Sequence, residues 1–214
     1  VPTRLILVRH GETLANRAFR YIGISDEPLS EHGQKQAEQL AEALAFLPVA
    51  AVYSSPLQRA YQTALPIAAR HRLEAQKLDA LSELNFGSWE GRTRAEVLAS
   101  GDEATSQLHA WERDATVAPP GGESFAEMQQ RVCTAVEQLA AAHPDQTIVL
   151  VSHVGPIKVL LCAAMGAPIS SAFRIFLDPA TISVIDWSDQ EHAIVRLVNS
   201  HAHLGWQEAR WMQS

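Results

Sequence analysis

Short unbroken apolar runs alternate with longer stretches in which apolar residues return every third or fourth position. RLILVR (4–9), AAVYSS (50–55) and TIVLVS (147–152) have the length and β-branched content of buried strands. EAQKL (74–78) is a weaker strand of the same kind. Ser30 opens a helix in which Ala37, Leu40, Ala41, Leu44 and Leu47 share one face. A second helix is predicted to start at Pro56, and Pro66 is predicted to kink or shorten it. Residues 92–123 are less regular, with a short helix near Thr93–Ser100, another around Trp111, and then the loop APPGG. Ser124 and Glu127 form an S-x-x-E capping box ahead of a helix carrying Met128, Val132, Ala135, Val136 and Leu139. Gly155–Met165 is helical and stops at Gly166. The pattern then changes: TISVIDW (181–187) and HAIVRLV (192–198) are strand-like runs joined by a polar turn, an antiparallel hairpin.

Strands separated by helices predict an α/β fold, a three-layer α/β/α sandwich around a mostly parallel sheet with an antiparallel edge strand or hairpin. Nothing resembles a linker, so 1–214 is read as a single domain with 92–123 as a lid-like insert. Hydrophobic residues make up 47% of the 214, enough for one sizeable core. A net charge of −7 argues against nucleic-acid or anionic-membrane partners held by bulk charge, while leaving room for a local basic pocket. Cys133 and Cys162 fall in apolar helical patterns and form no C-x-x-C pair, so they are expected to be core thiols rather than metal ligands. With no membrane-length apolar run and no leader pattern, the expected location is cytoplasmic.

Ligands of open α/β sheets bind beyond the carboxyl ends of the parallel strands. Arg9 and His10 end the first strand, Arg59 starts the helix after the second, Glu83 follows the third and His153 ends the fourth. Two guanidinium forks suit a phosphoryl dianion, and helix N-termini add N–H donors. One neutral imidazole can attack phosphorus while the other holds the transferring oxygens, and a protonated carboxyl can supply the leaving oxygen with a proton. The set predicts covalent phosphoryl transfer through a phosphohistidine, with no cofactor and no metal, the arginines supplying the positive charge. Arg59 in a first helical turn opposes the helix dipole, a conflict that a bound anion would relieve. His201 and His203 share a face if they lie on a strand. A metal pair is one reading; two polar residues in a terminal segment is the preferred one.

At these positions the chain resembles the histidine phosphatase superfamily, also called phosphoglycerate-mutase-like. RHGET (9–13), Asn16, PLSEHG (28–33), YSSPLQRAYQTA (53–64), ELNFGSWEG (83–91), GGES (121–124) and VSHVG (151–155) are similar to its signatures and occur in its order. The resemblance implies that His10 is the nucleophile, that Arg9, Arg59, His153 and Asn16 hold the phosphoryl group, and that Glu83, four residues before Gly87, is the proton donor. Phe86 and Trp89 either line the substrate pocket or plug the core, and Trp111, Arg113 and the loop before GGES are candidates for covering its mouth. A small-molecule phosphate ester is the implied partner, and a homodimer accords with the family's habit.

A cofactor-dependent mutase is disfavoured. Mutases carry a longer, more cationic insert and Arg-His-Tyr-Gly after the glutamate, whereas Leu-Asn-Phe-Gly follows Glu83 here and 92–123 holds only Arg92, Arg94 and Arg113 as cations. A non-catalytic scaffold would have no need of both His10 and Glu83. The ELNFGSWEG element is similar to phosphatases of the α-ribazole and broad-specificity type, and the LVNSHAHLG tail to metal-independent phosphoserine phosphatases. Those last enzymes carry a histidine where this chain has Phe86, which points away from serine phosphate and toward a bulkier, apolar leaving group.

Overall fold

The computed structural model describes residues 1–210. Its strands are β1 (Thr3–Arg9), β2 (Val49–Ser54), β3 (Ala75–Lys77), β4 (Thr147–Ser152), β5 (Ile182–Trp187) and β6 (Ile194–Ser200), which form one sheet in the order β3-β2-β4-β1-β5-β6. The first four run parallel; β5 and β6 are antiparallel and close one edge. Its α-helices are α1 (Leu14–Arg17), α2 (Glu31–Leu44), α3 (Gln58–Arg70), α4 (Arg94–Leu98), α5 (Asp102–Trp111), α6 (Phe125–Ala142) and α7 (Val154–Ala164).

The unbroken apolar character of the central strands follows from burial on both sides. Leu5 and Leu7 of β1, with Ile148 and Leu150 of β4, face a core built with α6 and α7. Ile6 and Val8, with Val149 and Val151, face a second core built with α2 and α3. Alternate residues of a strand point to opposite faces, so a strand covered on both faces is apolar at every position. The result is the three-layer sandwich.

Helix starts follow local chemistry. Ser30 accepts from Gly33 N–H at the head of α2, and Thr93 and Ser124 each complete a reciprocal capping box ahead of α4 and α6. Pro56 lies outside its helix, with Leu57 as cap, and Leu47 lies beyond the end of α2. Pro66 corrects one expectation: α3 runs through it without a break. A proline within a helix costs about 3 kcal/mol. Here Ala60, Ala64, Ile67 and Ala68 are all buried against the sheet, and that packing holds the helix together.

The segment 92–123 is not a loose flap on this core. Val97, Leu108, Trp111 and Ala115 are buried in it, and the Trp111 ring lies within 6 Å of the Trp89, Phe125 and Phe173 rings. His201 and His203 lie past the end of β6 and turn back onto the 178–180 stretch. His201 Nε2 donates to Asp178 at 2.8 Å and His203 Nε2 to Ala180 O at 2.8 Å. No group of three or more His, Cys, Asp or Glu side chains placed to hold a metal ion occurs among the described residues.

Candidate active site

Three parallel strands end level with one another. The backbone N–H of His10 donates to Ser152 O and that of Ser55 to Val151 O, so the residues after β1, β2 and β4 sit side by side. His10 and His153 meet edge to face, ring centroids 5.0 Å apart. Arg9, His10, Arg59, Glu83 and His153 are all buried. Sequence spacing therefore located a true convergence: five ionisable side chains, which burial alone would disfavour, share one edge of the sheet.

Two glycines in the motifs are required by close approach. A Cβ on Gly11 would press into the Gly33 backbone, and one on Gly33 into the Glu12 backbone, so the RHG turn and the start of α2 touch directly. Glu12 binds this junction: its carboxylate takes Ser30 Oγ at 2.9 Å and Arg17 at 2.8 Å. Thr63 of α3 accepts from Gly11 N–H at 3.0 Å and donates to Arg59 O at 2.8 Å, tying the turn to the arginine's own helix.

The tautomer of His10 follows from its partner. Nδ1 lies 2.7 Å from Gly11 O, and a carbonyl can only accept, so Nδ1 carries the proton and Nε2 keeps its lone pair. Burial, then the neighbouring Arg59 and Arg9, hold the His10 pKa well below that of a free imidazole. His153 is neutral for the same reasons, burial first. Its Nε2 is 2.8 Å from Ser55 Oγ, while its Nδ1 is buried without a partner. Arg9 gives Nη1 to Leu177 O, and its Nε is likewise buried and unpartnered. Burial and the nearby Arg210 lower the Arg9 pKa to about 9, so it is still a cation at neutral pH. The buried, unsatisfied polar atoms of Arg9 and His153 are the chemistry an oxyanion would complete.

Arg59 has a second duty. Its two terminal nitrogens donate to Ser25 O and Gly23 O, both at 2.7 Å. Glu90 holds the other side of that loop, accepting the N–H groups of Gly23 and Ser25 at 2.8 and 2.9 Å. Burial lowers the Arg59 pKa, and the neighbouring Glu83, Glu27, Glu90 and Asp26 oppose it in part by favouring the charged form.

Glu83 is held by backbone. Oε1 accepts from Leu84 N–H at 2.8 Å, and both oxygens accept from Gly155 N–H in the first turn of α7, at 3.1 and 3.2 Å. A Cβ on Gly155 would clash with that carboxyl, so the glycine of VSHVG makes room for the glutamate of ELNFG. Burial raises the Glu83 pKa, outweighing these donors and the two arginines.

Asn16 is placed by α1, an element the sequence patterning did not predict. Its Oδ1 accepts from Thr13 N–H at 3.1 Å, and the residue lines a cavity of about 310 Å³ that opens on Arg9. A second cavity, of about 400 Å³, reaches Glu83 between Asn85 and Arg131. Trp89 is 1% exposed and lines neither, so the expected pocket residue is a core residue. Its indole packs on Trp111, which is equally a core ring and does not cover the mouth. Phe86 is half-buried behind Tyr21, centroids 5.0 Å apart; Tyr21 and the exposed Phe19 and Phe176 are the rings that reach the cavity. Ser55, Glu90, Gly155, Leu177, Lys158 and Arg210 complete the surroundings and were not singled out by sequence. Only Ser55, Glu90 and Gly155 lay inside motifs that already named their neighbours.

Neutral imidazoles and buried arginines gathered at the tips of a parallel sheet define an α/β protein built to handle phosphoryl groups. Comparison with known proteins is more specific. Residues 5–200 match the family described as Histidine phosphatase superfamily (branch 1). The chain is 39% identical over 203 residues to phosphoserine phosphatase 1 of Hydrogenobacter thermophilus, covering 94% of each. It is 40% identical over 205 residues to a bifunctional protein of Mycobacterium tuberculosis, covering 95% of this chain but only 55% of that one, so the chain spans about half the length of that relative. The native structure of a mycobacterial glucosyl-3-phosphoglycerate phosphatase superposes with a TM-score of 0.83 at 32% identity, over 92% of this chain and 98% of the other. The chain belongs to the histidine phosphatase superfamily.

Proposed function

We propose that residues 1–214 form one metal-independent phosphomonoesterase domain in which His10 is the nucleophile and Glu83 the general acid and base. The observation that carries this is the pairing of a buried His10 whose Nε2 is left free by the Nδ1–Gly11 hydrogen bond with a buried Glu83 pushed toward its protonated form. Nε2 attacks phosphorus as the bond to the leaving oxygen breaks, and Glu83 gives that oxygen its proton. Water then attacks the phosphohistidine, Glu83 takes a proton from it, and phosphate departs with His10 neutral again. Arg9, Arg59 and His153 stabilise the equatorial oxygens, with Asn16 beside them. Two guanidinium groups supply the charge that a metal supplies elsewhere. Hydrolysis of p-nitrophenyl phosphate in excess EDTA tests the metal claim: full activity is expected, and a loss restored by a divalent cation would contradict it.

The residue states set a pH profile. His10 must be neutral, and its pKa lies well below the usual imidazole value, so activity on the acid side persists below about pH 6.5. Glu83 must be protonated, and its pKa is raised, so the alkaline fall begins above the ordinary carboxylate range. An alkyl phosphate, which needs the proton, is expected to show both limbs in kcat/KM; an alkaline limb at ordinary carboxylate pH would contradict the assignment.

Supporting a cytoplasmic site of action, Cys133 and Cys162 are buried free thiols. No helix among the described residues is long and apolar enough to cross a membrane. Residues 92–123 are read as an insert that roofs the aromatic cluster behind Tyr21. If the protein is a homodimer, its edge strand β6, with Ile194, Leu197 and Val198 exposed, is the apolar surface for a second copy.

A further inference from the structure

The cavity that opens on Arg9 has an unusual charge balance. Four of its lining residues are cations, Arg9, Arg20, Lys158 and Arg210, and none is an acid. Arg20 is spoken for: it forms a two-point ion pair with Glu96 and donates to Gly91 O. Arg9 serves the phosphoryl site. Lys158 and Arg210 remain. Among the described residues neither has a carboxylate within 4 Å, and Arg210 donates only to the backbone carbonyl of Asn16, at 3.1 Å. Lys158 is half-buried, no hydrogen bond to its ammonium occurs among the described residues, and burial lowers its pKa. Arg210 disfavours the charge of Arg9, and Arg9 disfavours that of Lys158. An anion between them removes that cost.

Their positions are fixed rather than incidental. Lys158 lies on α7 one turn beyond Gly155, the residue whose N–H holds Glu83, so ammonium and carboxyl share a neighbourhood. The Arg210 backbone N–H donates to Asp178 Oδ1, and Asp178 is clamped by His201 and Asn199 next to Leu177, the partner of Arg9. The buried Asp178–His201 pair thus brings the Arg210 end of the described chain to the edge of the site. The other cavity carries Asp79, Glu83, Glu123 and Glu127 against a single Arg131, itself bound to Glu123, and would repel an anionic group.

We infer that the preferred substrate is a phosphomonoester whose leaving group bears a second anion, a carboxylate or a second phosphate, bound by Lys158 and Arg210. This rests on the phosphatase assignment above and names the substrate class of the same site. The leaving oxygen faces Glu83 and the rest of the leaving group runs past Lys158 toward the rim, where Phe19 and Phe176 flank it. Each charge-assisted contact favours the anionic ester over a neutral one of the same size.

Matched esters test this. 3-Phosphoglycerate and glycerol 3-phosphate differ in a carboxylate against a hydroxymethyl group; fructose 1,6-bisphosphate and fructose 6-phosphate differ in the second phosphate. The wild-type kcat/KM is expected to favour the anionic member of at least one pair by about 10-fold or more, mainly through KM. The pair that discriminates identifies the anion. Lys158→Met with Arg210→Gln is expected to bring the ratio close to one, and Arg20→Gln to leave it unchanged. Ratios near one for both pairs in the wild type, with p-nitrophenyl phosphate still turned over, would overturn the inference and leave the phosphatase assignment standing. Failure to turn over p-nitrophenyl phosphate at all would instead strike the assignment. Should the double variant fold poorly, the wild-type ratios decide alone.

Discussion

Replacing His10 by alanine is expected to lower kcat for p-nitrophenyl phosphate by about 10³–10⁴-fold or more while leaving the fold intact. The side chain is buried, yet its only hydrogen bond among the described residues is from Nδ1 to Gly11 O, and that carbonyl loses little when the ring is removed. The ring's free Nε2 is the group the chemistry uses. A good leaving group gives the fairest test because it needs little help from Glu83. Steady-state kinetics with a thermal melt of both proteins measures it. Activity within about 10-fold of wild type, at unchanged melting temperature, would remove His10 from the nucleophile role.

The second large effect is selective. Glu83→Gln is expected to slow an alkyl phosphate by about 10²–10⁴-fold and p-nitrophenyl phosphate far less in the first step. The amide keeps the shape of the carboxyl and can still accept from Leu84 and Gly155 N–H, but it has no acidic proton to give. Because water attack also uses Glu83, a burst of nitrophenol followed by a slow steady state is the expected trace. Equal losses on both esters, without a burst, would mean that Glu83 only positions the site.

The places of both residues were legible in the sequence because they rest on chain-local facts. The middles of β1 and β4, residues 5–8 and 148–151, are apolar at every position, so their ends are easy to find, and Arg9, His10 and His153 sit at those ends. Ser124 with Glu127 and Ser30 with Gly33 announce helix starts within four residues. What failed was what depends on the partner across space. Pro66 reads as a break until the buried face of α3 is known. Trp89 reads equally well as a pocket ring or a core ring until its packing on Trp111 is known. Four-residue α1 is too short to show a period, and it positions Asn16. Lys158 and Arg210 lie more than fifty residues apart on segments with no motif of their own, and only the packed chain shows them lining one cavity.

The substrate readings now pull in different directions. Phe86, in place of histidine, argued against a small charged ester such as phosphoserine, and the ring it packs against, Tyr21, does line the cavity. The charge of that cavity argues for an anionic leaving group, and aromatic rings at a cationic site accommodate both features in one molecule.

The central claim is a covalent bond from phosphorus to His10. Wild-type enzyme mixed with substrate, quenched within milliseconds into base and digested for mass spectrometry, tests it most directly, since phosphohistidine survives base. The account predicts a phosphorylated peptide containing His10, formed at a rate that accounts for turnover. Steady turnover with no phosphopeptide, or with the phosphate on any other residue, would contradict it.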